Sequence, residues 1–261
     1  MTGPDRDRVP VDPATYEPPP LDQVARRFGV PWEWYDAIGI YVIWILLAGP
    51  VVLAVTALVG GETSDLATAS QILVTLVVLV VVTVVWVRLR ASAADVADGL
   101  RRALGPKRPV AADIRRGVIL GVGAFLAVQL GLGLLISSLV EALGQELPEI
   151  QEEVQTAVQG EGSVPLLVAF AVAILAPVGE ELLFRGVLYQ ALAKRLHGWP
   201  ALGLSGLAFG LTHVEPFVIV LTFPLGMVLA WALRRHGTLV VPVVAHAVFN
   251  LIGVVLIRLG G

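Results

Sequence analysis

The feature that most constrains this chain is a series of seven apolar runs, most of them as long as a membrane-crossing helix. A helix needs about 20 mostly apolar residues to cross the hydrocarbon core of a bilayer. Only 15% of the residues are charged, against about 25% in a soluble domain. The runs lie at 38–59, 67–88, 114–140, 164–193, 199–214, 217–233 and 238–257. The sequence therefore predicts an all-α polytopic membrane protein with about seven transmembrane helices.

The fifth and sixth runs are short, and only Val-Glu-Pro separates them. They fit either two spans or a hairpin that does not fully cross. Residues 1–36 are polar and rich in proline, which is typical of a disordered tail. Trp32, Trp34 and Tyr35 precede the first run and predict an aromatic belt at the membrane interface.

The charges of the connecting loops alternate in sign. The loop at 88–116 holds eight Lys and Arg residues, whereas the loop at 141–163 holds six Glu and no Lys or Arg. Because cytoplasmic loops are enriched in Lys and Arg, this pattern predicts a cytoplasmic N-terminus and a C-terminus outside. The Ala, Val, Gly and Arg-rich composition indicates a bacterial cell membrane.

Composition also excludes several kinds of site. The chain has no cysteine, which excludes disulfides, thiolate metal sites and a cysteine nucleophile. It has no basic patch with interleaved aromatic residues, so we expect no nucleic-acid partner. The expected partners are the lipid bilayer and a membrane-associated protein or peptide.

The third run contains five glycines. Small residues at four-residue spacing let membrane helices approach closely, so these glycines predict helix packing. They are Gly117, Gly121, Gly123, Gly131 and Gly133.

Three charges interrupt the fourth run, in the stretch LAPVGEELLFRGVLY. At about 2.5–3.5 kcal/mol for each charge at the membrane centre, Glu180, Glu181 and Arg185 together cost roughly 7–10 kcal/mol. The apolar residues of the run return only about 4–7 kcal/mol. This helix therefore has to turn its charged face toward other helices or a polar cavity.

Spacing assigns the three charges different surroundings. Glu181 and Arg185 are four residues apart, so they share a helix face and can pair. Glu180 lies about 100° around the helix and lacks that partner. A carboxylate of this kind suits a general base. The alternative is that all three form one static ion-pair cluster.

Polar residues in two later runs can meet Glu180. His213 ends the fifth run, and His246 and Asn250 are four apart in the seventh. Counted along their helices from the nearest basic residues, Glu180, His213 and His246 all fall at or beyond mid-membrane. We therefore expect them to share one intramembrane cavity.

Such a set of residues supports hydrolysis in two ways. Glu180 and His213 can hold and deprotonate a water molecule while His246 and Asn250 donate to the oxyanion. Alternatively, Glu180, His213 and His246 can bind Zn²⁺, whose water then attacks. The sequence has no HExxH motif, the usual helix of zinc proteases.

Three motifs resemble those of the CPBP family, the intramembrane proteases related to the CAAX prenyl endopeptidase. They are EELLFR (Glu180, Glu181, Arg185), FGLTH (Phe209, His213) and HAVFN (His246, Asn250), in the family's order. The resemblance covers residues 160–255. It divides the chain into a tail at 1–36, three N-terminal helices with their loops at 37–160 and a CPBP-like core at 161–258.

The resemblance implies an endopeptidase whose site lies in a cavity between helices. It implies that Glu180 and His213 activate water, and that His246 and Asn250 stabilise the oxyanion. Glu181, Arg185 and Phe209 are implied as supporting residues. Its favoured mechanism is metal-free, so we expect no cofactor. Although eukaryotic members cut prenylated tails, a prenylated substrate does not follow here.

Two other classes remain open. The stretch GLSG resembles the serine motif of rhomboid proteases, in which Ser205 would pair with His246. A non-catalytic scaffold, immunity protein or transporter with the same fold would use its buried Glu and His for protein contacts or proton relay. The runs show no obvious inverted repeat, which weakens the transporter reading.

Overall fold

The computed structural model describes residues 30–59, 65–90, 110–145, 152–159, 162–196, 198–213 and 215–260. Every regular element in these ranges is helical, which confirms the all-α class. The helices are α1 (Trp34–Leu58), α2 (Asp65–Arg90), α3 (Val110–Ala142), α4 (Glu152–Gln159), α5 (Ser163–Ala193), α6 (Trp199–Leu211), α7 (Pro216–His236) and α8 (Val240–Gly260). The predicted tail lies, up to residue 29, outside the described residues.

Six of the described helices are long and apolar enough to cross a membrane: α1, α2, α3, α5, α7 and α8. Helix α6 has 13 residues, and at 1.5 Å per residue it extends about 20 Å, against about 30 Å for the hydrocarbon core. The fifth and sixth apolar runs are both short in the sequence. In the structure only the fifth forms a short helix, α6, whereas the sixth forms the longer helix α7.

Helix α7 is longer than its apolar run at 217–233 indicates. It continues through Arg234, Arg235 and His236 and ends at Gly237, which has a left-handed φ of 66°. A left-handed glycine is a common way to end a helix. The apolar run therefore underestimates this helix, because its last turn is basic but still helical.

The start of α1 and the ends of α2 and α5 lie on one face of the bundle. Asp36 accepts hydrogen bonds from Trp86 and Arg90 of α2, at 3.0 and 3.1 Å. Glu33 forms salt bridges with Lys194 at 3.3 Å and Arg195 at 3.1 Å, just beyond α5. These contacts bring basic residues from two separate loops to the same face.

Trp32 differs from its predicted place in an aromatic belt. Its side chain is 2% exposed and packs in the main hydrophobic core, and its backbone carbonyl accepts a hydrogen bond from Lys194. Trp34 and Tyr35, at 44% and 51% exposed, remain available for the interface. The segment before α1 is therefore part of the protein core.

Glycines bring two helix pairs into close contact. A Cβ atom on Gly121 of α3 would lie 2.5 Å from the Ala245 carbonyl of α8, and one on Gly226 of α7 would lie 2.8 Å from the Gly206 Cα of α6. No atom lies within 4 Å of the corresponding position on Gly123. The prediction of close packing is thus confirmed for part of the glycine series, and the packing holds α8 and α7 around the charged middle of α5.

Candidate active site

The two glutamates of α5 lie between two π-helical segments, and Arg185 lies in the second of these. The α-helical turn Ala176–Glu181 follows a π-helical segment at Ala171–Leu175 and precedes another at Leu182–Tyr189. Such wider turns are rare and are often found at functional sites. They place both glutamates at the point where α5 changes its winding.

Glu181 and Arg185 form the salt bridge that their spacing predicts. Arg185 Nη1 lies 2.8 Å from Glu181 Oε1, and both side chains are fully buried. Arg185 Nη2 also donates to the Gly226 carbonyl of α7 at 2.9 Å. Arg185 therefore connects Glu181 of α5 to the backbone of α7 through its two terminal nitrogens.

His246 of α8 lies between the two glutamates. Its Nδ1 is 3.0 Å from Glu181 Oε1, and its Nε2 is 3.7 Å from Glu180 Oε2. The His246 side chain is 3% exposed and the Glu180 side chain 23% exposed. Glu180 is thus the partly exposed carboxylate, whereas Glu181 is enclosed.

Phe209 of α6 lies against most of the other site residues. Its ring centre is 5.1 Å from that of His213 and 5.5 Å from that of His246, both edge-on. The Arg185 guanidinium lies 4.6 Å from the same ring centre. The ring is completely buried, so it acts as a rigid spacer between the cation and the two imidazoles.

His213 comes two residues after the end of α6. Helix α6, with 13 residues, is shorter than the roughly 20 residues that a membrane-crossing helix needs. His213 Nδ1 lies 3.1 Å from the Phe209 carbonyl. A carbonyl only accepts hydrogen bonds, so Nδ1 carries the proton and Nε2 is left for a ligand.

Asn250 lies one turn after His246 on α8. Its Nδ2 donates to the Val172 carbonyl in the first π-helical segment of α5, at 3.0 Å. An amide nitrogen has two hydrogens, so one remains for a further acceptor. Helix α8 therefore contacts α5 through both of the residues that the HAVFN motif predicts.

Residues 162–252 match the family model described as "Type II CAAX prenyl endopeptidase Rce1-like". This part of the chain is therefore similar to the family whose motifs the sequence resembles. The match lies inside the predicted core at 161–258 and contains all three motifs.

A Bacillus subtilis (strain 168) protein named "Putative membrane peptidase YdiL" is 28% identical to the chain over 88 residues. That similarity covers 34% of this chain and 36% of the relative. No solved structure matches the chain. The comparisons thus support a membrane protease at the level of the family.

The zinc alternative requires Glu180, His213 and His246 to surround one ion. Within the described part of the chain, no three His, Asp or Glu side chains are grouped closely enough to hold a metal. His246 Nδ1 is directed at Glu181 instead. The described residues therefore do not bring Glu180, His213 and His246 together as a three-ligand cluster.

Ser205 takes part in helix packing. It is completely buried, and its Oγ donates to the Phe184 carbonyl of α5 at 3.5 Å. The two ring nitrogens of His246 face Glu180 and Glu181. The geometry gives the rhomboid alternative no Ser–His pair.

Sequence reasoning missed the backbone groups of the site. The carbonyls of Gly226, Phe209 and Val172 each accept a hydrogen bond from a site side chain. Motifs describe side chains, so they give no signal for these acceptors. The glycine at 226 is a partial signal, since a small residue permits close approach.

Proposed function

We propose that this chain is an intramembrane endopeptidase that uses water activated by Glu180 and His213. The observation that carries the proposal is the pair of glutamates around His246, one partly exposed and one buried against Arg185. A merely static ion cluster would have no reason to keep one carboxylate accessible. The CPBP match over the same residues supports the assignment.

In the proposed reaction, Glu180 removes a proton from water as the oxygen attacks the peptide carbonyl. His213 accepts a hydrogen bond from that water through Nε2, because its Nδ1 is occupied by the Phe209 carbonyl. General-base catalysis of this kind contributes about 10²–10⁴-fold. Glu180 then gives the proton to the leaving amine.

The tetrahedral intermediate carries a negative oxygen that needs donors. We assign this role to His246 Nε2 and to the second hydrogen of Asn250 Nδ2. Donors of this kind are worth about 10²–10³-fold each. Both side chains are held in place by α5, so little reorganisation is needed when the charge develops.

The proposed mechanism uses no metal. Glu181 and Arg185 supply fixed charges that hold His246. The proposed substrate is a membrane-associated protein or peptide, since the site lies among membrane-spanning helices. We also propose that the basic face with Arg90, Lys194 and Arg195 is cytoplasmic, which puts the N-terminus inside and the C-terminus outside.

The decisive test compares Glu180→Gln with wild type in native membranes. The change keeps the shape of the side chain but removes the base, so we expect cleavage to fall at least 10²-fold while the protein still folds. Membrane peptides with new ends, counted by mass spectrometry, measure it. Glu141→Gln, the same change at an exposed position of α3, is the matched control.

Identical sets of peptide ends from wild type and Glu180→Gln would instead support the non-catalytic scaffold, immunity or transport alternative. Treatment of the wild-type membranes with a chelator separates the two hydrolytic mechanisms. We expect cleavage to persist. A loss that added Zn²⁺ restores would move the mechanism to the metal.

A further inference from the structure

We infer that Glu181 is a positioning residue that fixes a proton on Nδ1 of His246. Nε2 is then the ring nitrogen left to face Glu180 and a substrate. The placement of the proton follows from the contacts alone, whereas its use in catalysis rests on the proposed function.

The contact with Arg185 shows which part Glu181 Oε1 plays in its hydrogen bonds. A guanidinium is always protonated in proteins and can only donate. At 2.8 Å from Arg185 Nη1, Glu181 Oε1 is therefore an acceptor. Since Oε1 accepts from this guanidinium, it carries no proton that it could donate to a second partner.

The same oxygen also contacts His246. Its distance to Nδ1 is 3.0 Å, which is a hydrogen-bond distance. Since Glu181 Oε1 only accepts, Nδ1 must donate. The hydrogen bond made by one ring nitrogen fixes the proton position of a histidine, so a neutral His246 has a bare Nε2.

The surroundings hold this arrangement rigidly. Glu181, Arg185 and the ring of Phe209 are completely buried, and Arg185 is bonded to the Gly226 carbonyl of α7. Glu181 thus connects a fixed cation to His246 across three helices. Glu180, 23% exposed and 3.7 Å from Nε2, is less constrained.

Both histidines of the site make a hydrogen bond through Nδ1. His213 donates through Nδ1 to a backbone carbonyl, and His246 donates through Nδ1 to a carboxylate. Each therefore presents Nε2. Donation from His246 to an oxyanion then requires a second proton on the ring, located at Nε2 and facing Glu180.

The test is nuclear magnetic resonance of the full-length chain in lipid bilayers, with ¹⁵N-labelled histidine. The chain has four histidines, and loss of one signal set in His246→Gln assigns the resonances. At a pH where the ring carries one proton, we expect that proton on Nδ1 in wild type. Glu180→Gln is the matched control, and it should leave the proton on Nδ1.

The informative variant is Glu181→Leu combined with Arg185→Met. Replacing both members of a buried ion pair leaves no unpaired charge and is often neutral for stability. With Glu181 gone, only Glu180 faces the ring, so we expect the proton to move to Nε2. Glu181→Leu alone would bury an unpaired Arg185 and is avoided for that reason.

A single proton on Nε2 in wild type would overturn the inference, and so would an unchanged Nδ1 signal in the double variant. The wild-type spectrum is decisive even if the double variant does not fold. No substrate is needed, so this result is separate from the cleavage test. Loss of cleavage in Glu180→Gln with Nε2 protonated in wild type would retain the protease and reject the role of Glu181.

Discussion

Helix α1 and helix α5 are both long apolar helices, yet the protein surrounds them very differently. In the most apolar window of α1, 11% of the residues are buried inside the protein, against 44% in α5. The exposed residues of α1 include large apolar side chains such as Leu46 and Leu53. Lipid can cover these side chains, but it cannot solvate the charges of α5. Between these two helices, the buried charges of α5 are what require protein neighbours.

The largest effect on this difference between α1 and α5 is expected when a buried charge of α5 loses its partner. In Glu181→Leu, Arg185 remains completely buried with the Gly226 carbonyl as its acceptor. Removing one partner of a buried pair costs about 3–5 kcal/mol, so we expect a large fall in the free energy of unfolding, measured by tryptophan fluorescence in bilayers or detergent.

The comparison for that variant is the loss of a charge outside the core. Arg88→Leu, at an exposed position near the end of α2, should change the free energy of unfolding by less than about 0.5 kcal/mol. Equal losses in the two variants would mean that Arg185 is not enclosed as described.

The second way to sharpen the contrast uses two neighbouring glycines on α3. Gly121→Val places a side chain against the Ala245 carbonyl of α8, whereas Gly123→Val meets no atom within 4 Å. We expect the first change to cost about 1–3 kcal/mol through overpacking. The same unfolding measurement should show almost no effect for Gly123→Val. A similar cost at both positions would place the α3–α8 contact elsewhere.

The smallest expected effect lies at the start of α1, outside the membrane. The hydrogen bond from Arg195, aided by Lys194, lowers the pKa of Glu33 below its ordinary value of 4.5. A lowered pKa stabilises the fold above that ordinary value, and the stabilisation is lost as the pH falls through the folded-state pKa. Thermal unfolding should therefore show wild type slightly more stable than Glu33→Gln at pH 7 and equal to it in acid.

Arg195→Gln and the double variant complete that experiment. In the double variant the Glu33 change should have a smaller effect at pH 7, because the main partner is gone. An effect of Glu33→Gln that persisted unchanged in acid would show that the ion pairs are not its cause.

Local spacing was enough to predict some contacts of the site and not others. The Glu181–Arg185 salt bridge follows from positions four apart on one helix. The contact of His246 with Glu181 joins residues 65 apart, and no local rule gives its distance. The sequence singled out both residues but paired Glu181 only with Arg185, because the rotation of α8 against α5 depends on packing along their whole length.

The course of the backbone was the other feature that the sequence did not predict. The predicted aromatic belt included Trp32, whose side chain packs in the hydrophobic core instead. The π-helical segments of α5 change which side chains share a face, and nothing in the residue pattern indicates where they begin. A prediction of shared helix faces that assumes about 3.6 residues per turn therefore does not extend through the π-helical segments on either side of Glu180.

The sequence by itself determined the helical membrane class, the short fifth run and the residues with polar chemistry, because hydropathy and charge act locally along the chain. Only the tertiary structure decided that α7 is long enough to cross a membrane while α6 stays short, and that His246 lies between the two glutamates. Those outcomes depend on how closely helices approach one another, and that distance is set by contacts between residues far apart in the chain.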